Sequence, residues 1–158
     1  MTRFHRLAAV AFSLGCAWSA QASEHEHGER RAAAVPPAYA QECAACHVAF
    51  PARGLPAASW QRLMGQLGKH FGTDASLDAK TTAELTQYLV EHAGTGKRAQ
   101  DKPEQDRMTR TAWFTREHRE IGNAVWQRAS IGKPSNCAAC HAGAPQGRFS
   151  EHDVRIPK

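Results

Sequence analysis

Apolar residues recur at helical spacing in three stretches of this 158-residue chain. In AASWQRLMGQLGKHF, residues 57–71, the side chains of Trp60, Leu63, Met64, Leu67 and Phe71 fall on one face. Pro56 suits the first turn of that helix, and Gly72 suits its stop. Residues 79–93 form a second amphipathic helix carrying Leu85, Tyr88, Leu89 and His92, with Asp78 as N-cap and Gly94 at the C-terminal end. A third covers 109–121, where Phe114, His118 and Ile121 share a stripe beside Trp113. The pattern predicts an all-α fold of short helices joined by long loops.

The front of the chain follows a different logic. Arg3 and Arg6 precede a mostly apolar run from Leu7 to Trp18, and Ala20-Gln21-Ala22 then supplies a small-x-small cleavage site. Residues 1–22 are read as a signal peptide, 23–40 as a flexible polar and alanine-rich leader, and 41–158 as one domain. The apolar run is too short for a permanent membrane helix, and no later stretch is long and apolar enough to cross a bilayer. Cys16 follows Leu14-Gly15, but Ser13 stands where a lipidation site wants an aliphatic residue. The mature product is therefore expected in the periplasm.

Export changes two counts. Five cysteines become four once Cys16 leaves, and loss of Arg3 and Arg6 takes the formal charge from +5 to +3. That balance is too weak, and too evenly spread, for a nucleic-acid binder. Lys97, Arg98 and Lys102 form a basic run in the polar linker 94–106, read as a solvated loop.

All four remaining cysteines sit in two copies of one pentad, CAACH at 43–47 and again at 137–141. Paired thiols serve disulfides, zinc or redox chemistry, but C-x-x-C-H is the attachment signature of c-type haem. Cys43 and Cys46, and likewise Cys137 and Cys140, would bond the porphyrin vinyl groups as thioethers. One helical turn then brings His47 and His141 to the iron as proximal ligands. The pairs are much too far apart in sequence for an ordinary zinc ribbon. Each pentad is followed by proline, Pro51 and Pro145, expected to end the helix bearing the cysteines. Two covalently bound haem c groups are the expected cofactors.

The second axial ligand decides what a haem can do. His5 leaves with the signal, His25 and His27 lie in the leader, and His152 lacks an apolar face to anchor it. Periodicity nominates His70, His92 and His118 almost equally, each of which could instead be a structural histidine. Met64 belongs to an apolar face and reads as core filler; Met108, in DRMTRT, has little to hold it against a haem. Trp60, Phe71, Trp113, Phe114 and Trp126 are candidate walls.

The runs ECAACHVAFPARGLPAASWQRLMGQLGKHFGTDASLD and RTAWFTREHREI…VWQ…NCAACHAGAPQGRFSE resemble the small dihaem cytochrome c family, DHC, over residues 39–152. That resemblance implies two low-potential haems with histidine on both faces. The distal residues it implies are His70 in the HFG motif and His118 after the Trp-Phe pair; it demands no histidine at His92. Chain order favours His47/His70 and His118/His141 as local pairs, closing short loops, although a crossed arrangement satisfies the same residues. The resemblance also implies redox-protein partners: a membrane b-type cytochrome upstream and an oxygen-binding monohaem cytochrome c downstream.

An iron closed by two imidazoles has no site for oxygen, peroxide or nitrite, so the expected activity is single-electron transfer rather than catalysis. The competing class is a haem enzyme or gas sensor whose distal histidine dissociates. A third is a subunit of a larger redox complex, tethered through 31–40. Because the chain is polar, with mean hydropathy −0.55, the haems are expected to supply much of the core, leaving the haem-free chain largely unfolded. Four ionised propionates and two ferric porphyrin charges bring the net charge to about +1.

Overall fold

The structure is a computed structural model that describes residues 35–158; the signal peptide and most of the leader lie outside the described residues. Among the described residues there are five short α-helices: α1 (Pro37–Cys43), α2 (Ala57–Met64), α3 (Ala79–Glu91), α4 (Ala112–Glu117) and α5 (Asn123–Trp126), joined by single 3₁₀ turns and long loops. The only strand-like pairings described are two isolated bridges, His70 with Thr73 and His141 with Val154. The all-α expectation holds.

Helix α3 is the element its sequence specifies most fully. Asp78 caps it, its carboxylate accepting from Thr81 N at 3.0 Å, and Leu85 and Leu89 are buried on one face. That face packs on α2, whose Trp60 and Met64 are also buried, and the cluster extends to Tyr39, Ala52, Leu55 and Met108. Burying each large side chain contributes about 1.5–3 kcal/mol. Both methionines are thus core residues: Met64 as expected, and Met108, from the polar stretch DRMTRT, beside it. Gly54 lies under the Met108 thioether, where an added Cβ would come within 2.8 Å of its sulfur.

Three elements are shorter than their periodicity predicts. The helix expected over 57–71 ends at Met64; Gly65 caps it, Gln66 leaves helical geometry with φ −133° and ψ 31°, and a 3₁₀ turn covers Leu67–Lys69. Two glycines in GQLG weaken the helix there. The helix expected over 109–121 spans only Ala112–Glu117, because buried Thr111 adopts extended geometry and caps it through its hydroxyl. Pro51 and Pro145 end no helix. The cysteine-bearing turns have already closed, and each proline instead opens a 3₁₀ turn, Ala52–Gly54 and Ala144–Gln146.

The chain is helical from Pro37, inside the stretch read as flexible leader, because Tyr39 is buried and its hydroxyl donates to the Phe50 carbonyl at 2.7 Å. Buried apolar side chains crowd residues 39–108. Beyond Trp113 the described residues add only Phe114, Ile131 and Ala144. The second CAACH motif therefore sits in the part of the fold with the least side-chain core.

Candidate haem centres

Each pentad closes one turn. Cys43 ends α1, and His47 follows three turn residues later. In the second copy Cys137–Ala139 form a 3₁₀ turn, and His141 N donates to the Cys137 carbonyl at 2.8 Å. None of the four thiols is in a disulfide. Burial pushes the Cys43 and Cys137 thiols up to about 11, and raises Cys140 as well. Thiols so disfavoured as thiolates are poor redox nucleophiles. Among the described residues, no group of three or more His, Cys, Asp or Glu side chains is placed to hold a metal ion. The two C-x-x-C pairs are not assembled into one site.

What the fold does assemble is two pairs of imidazoles. The rings of His47 and His70 lie with centroids 6.2 Å apart, their planes 27° from parallel. Those of His118 and His141 also lie 6.2 Å apart, at 74°. A metal–imidazole bond is about 2 Å, so two rings meeting one ion place their centroids about 6 Å apart. Each pair has the spacing that admits one six-coordinate ion between its rings.

The ring nitrogens are distinguished within each pair. His47 Nδ1 donates to the Val48 carbonyl at 2.7 Å, and His118 Nδ1 to that of Phe114 at 2.9 Å. Each bond places the proton on Nδ1 and leaves Nε2 as the basic nitrogen. Nδ1 of His70 and of His141 is buried without a partner. Burial, then the neighbouring imidazole, hold both rings below the ordinary histidine range; Arg107 adds to this at His70. Neutral imidazole is the form that binds a metal. With the adjacent thiols, the residues present fit two covalently attached haems.

Aromatic side chains hold the rings. Phe50 stacks on His47 at 4.5 Å, Phe71 meets His70 edge-on at 4.8 Å, and Phe114 stacks on His118 at 4.0 Å. Trp126 leans on His118 at 5.9 Å, and Phe149 on His141 at 5.7 Å.

Residues 39–149 match the dihaem cytochrome c family. The chain belongs to that family. Its fold is similar to solved dihaem cytochromes c: one from Shewanella baltica OS155 is 41% identical, with 77% of this chain and 92% of that chain covered and a TM-score of 0.66. A dihaem cytochrome c from Rhodobacter sphaeroides is also 41% identical, covering 73% of this chain and 98% of that one, with a TM-score of 0.64. No curated protein matches. The dihaem cytochrome c family is one of electron-transfer proteins rather than enzymes.

Within this dihaem cytochrome the other candidates fall elsewhere. His92 caps α3, donating from Nδ1 to the Tyr88 carbonyl at 2.8 Å and lying 4.7 Å from the Tyr88 ring. Among the described residues no second imidazole faces it. His152 is exposed in the 3₁₀ turn Glu151–Asp153. Of the expected walls, Trp60 belongs to the α2–α3 core, its indole N–H donating to the Ala52 carbonyl at 2.7 Å.

Sequence reasoning missed Phe50 and Phe149, although Phe50 sits within CAACHVAFP, close enough in the chain to reach the ring of His47. It also missed the C-terminal strap. Val154 bridges His141, Arg155 N donates to the Cys140 carbonyl at 2.8 Å, and Arg128 donates to the Pro157 carbonyl at 2.6 Å. Nothing in the composition of RIPK marks it as a clasp.

Proposed function

We propose that this protein is a periplasmic carrier of single electrons, with two haem c groups attached through Cys43/Cys46 and Cys137/Cys140. In this reading His47 with His70, and His118 with His141, are the axial ligands. The observation that carries it is the pair of 6.2 Å imidazole separations. Both pairs are local in the chain, which favours the uncrossed arrangement.

Bound at these sites, the haem irons supply reversible one-electron chemistry. The chain's part is to hold both faces of each site with nitrogen donors and keep small molecules out. Hydrogen bonds from Nδ1 of His47 and His118 fix the tautomer and orient those rings. Two imidazoles stabilise the oxidised state better than imidazole with thioether does, so potentials lie low. Stacked Phe50 and Phe114 restrict ring rotation, which limits rearrangement when charge changes. As partners we propose redox proteins: a membrane b-type cytochrome as donor and an oxygen-binding monohaem cytochrome c as acceptor.

The test is optical. Carbon monoxide added to the reduced holoprotein is expected to leave the Soret band unmoved, and the secreted chain is expected to have the mass of the cleaved polypeptide plus two haems. A rapid stoichiometric shift with carbon monoxide would place the protein among haem enzymes or gas sensors instead.

A further inference from the structure

The basic run read as a solvated loop is solvated at Lys97 and Lys102, which are exposed, but not at Arg98. Arg98 lies in the 3₁₀ segment Gly96–Gln100, half-buried, with its guanidinium carbon 4.9 Å from the Trp113 ring centroid. Trp113 is held in place by its indole N–H, which donates to the Gly54 carbonyl at 2.6 Å. Gly94 N in turn donates to the Leu55 carbonyl at 2.8 Å, pinning the Arg98 segment to the same loop.

The Arg98 side chain and the Arg53 backbone both crowd Gly94, and Arg116 follows Trp113 by about one turn in α4. Burial first, then Arg53 and Arg116, push Arg98 below the usual guanidinium range. Among the described residues neither Arg53 nor Arg98 forms a salt bridge, and the nearby carboxylate of Glu117 is bonded by Arg116 at 2.7 Å. Arg98 covers the ring, Arg53 and Arg116 lie on the two elements that hold it, and the acids beside them are engaged, Glu117 by Arg116 and Asp101 by Ala112 N, so the remaining cationic field favours an approaching anion. Arg53 and Arg116 are exposed and Trp113 is half-buried, so the cluster faces outward.

Behind this cluster the side chains lead inward without a gap. Trp113 meets Phe114 edge-on at 6.0 Å, and Phe114 stacks on His118 at 4.0 Å, with planes 22° apart. We propose that Arg53, Arg98 and Arg116 around Trp113 form the docking face for a one-electron partner that presents a carboxylate-rich surface, and that this face serves the His118/His141 centre. The inference rests on the electron-carrier reading above and adds the partner's chemistry and the centre it reaches. Long-range steering is weak because the whole molecule is nearly neutral, so a local field of this kind is what would set orientation.

The test uses the holoprotein and reduced flavodoxin, an acidic one-electron donor, as the probe. Stopped-flow reduction is followed against ionic strength for the wild type, Arg98→Glu, Arg98→Gln and, as a control on another face, Lys80→Glu. The wild-type rate is expected to fall as salt rises. Arg98→Glu should slow it about tenfold at low salt and flatten the salt dependence, with Arg98→Gln intermediate and Lys80→Glu unchanged. Titration with oxidised flavodoxin should shift the Trp113 indole N–H resonance in the wild type and not in Arg98→Glu. A neutral flavin radical should reduce all variants equally, which separates loss of docking from loss of electron transfer. Equal flavodoxin rates in Arg98→Glu and wild type would overturn the proposal while leaving the carrier function intact. A change confined to a haem potential and its pH dependence would also overturn it, assigning the arginines to a haem propionate.

Discussion

His118 and His141 stand 6.2 Å apart with their ring planes at 74°, close to perpendicular. The other pair, His47 and His70, has the same spacing but planes only 27° apart. Parallel imidazoles remove electron density from one iron dπ orbital more than the other and split the two, whereas perpendicular rings leave them nearly degenerate. Frozen oxidised protein is therefore expected to give two different low-spin electron paramagnetic resonance signals, the more anisotropic one from the His118/His141 centre. Abolishing that signal alone by His118→Met identifies it; two indistinguishable signals would contradict the ring geometry.

Replacing a distal histidine by methionine should raise the potential of one haem and spare the other. His70→Met and His118→Met are each expected to shift a single potential upward by on the order of 100 mV, within the ~0.8 V range that axial ligands command. His92→Met should leave both potentials and the low-spin spectrum unchanged. Its effect is confined to the α3 terminus, where losing the Tyr88 contact costs about 0.5–1 kcal/mol. Spectroelectrochemical titration of the three variants checks the assignment, and a spectral change in His92→Met would reverse it.

The C-terminal strap should matter most to the second centre. Deleting residues 155–158 removes the bonds from Arg155 N to Cys140 and from Arg128 to Pro157, and the exposed bond from Ser130 to Lys158. At about 1 kcal/mol for each of the first two and less for the exposed one, the loss is about 2–3 kcal/mol. Urea unfolding of the holoprotein should show it as a lower midpoint. Resonance Raman spectra should change in the lines of the His118/His141 haem and not in those of the other.

Arg62 of α2 grips Asp106 with two bonds, 2.9 and 2.6 Å, tying the 103–107 turn to the helix. The Arg62 hydrogen bond holds the Asp106 carboxyl below its usual range. Folded protein thus binds fewer protons here than unfolded protein, so the stabilisation is present above the unfolded value of about 3.9 and is lost as pH falls through the folded one. Asp106→Asn keeps a residue that tolerates the positive φ of 56°. It is expected to cost up to about 1 kcal/mol at pH 7 and nothing at the acid end, where both proteins are neutral at this position. Urea midpoints at pH 7 and in strong acid measure the difference.

Without haem the two parts of the domain should behave differently. Helices α2 and α3 share a core of Leu55, Trp60, Met64, Leu85 and Leu89, whereas beyond Trp113 buried apolar side chains are few. Amide exchange of the apoprotein is expected to show residual protection in 57–91 and none in 123–158. Uniform native-like protection would mean that haem supplies little of the core.

The twin CAACH motif of a dihaem cytochrome and the best helix were legible in the chain itself. C-x-x-C-H specifies its geometry within five residues, and the Asp78 cap with its apolar stripe is a local code, so α3 runs from Ala79 to Glu91 much as its residues predict. The shorter α2 and α4 were overestimated because periodicity records which face is apolar and does not register where a glycine pair or a buried threonine turns the backbone.

Which histidines stand opposite those of the two CAACH motifs lay beyond local reasoning, and His92 with His118 shows why. Both follow the last residue of a helix with nearly the same backbone angles, φ −105° and −106°. Both donate Nδ1 to the carbonyl four residues back and lie against the aromatic ring at that position. Short-range forces depend only on neighbours in the chain, and for these two histidines those neighbours are equivalent. The difference is what stands across from each: His141 faces His118, whereas among the described residues the only aromatic ring against His92 is that of Tyr88 on its own helix. That opposition is set by packing between segments distant in sequence, and only the tertiary structure contains it.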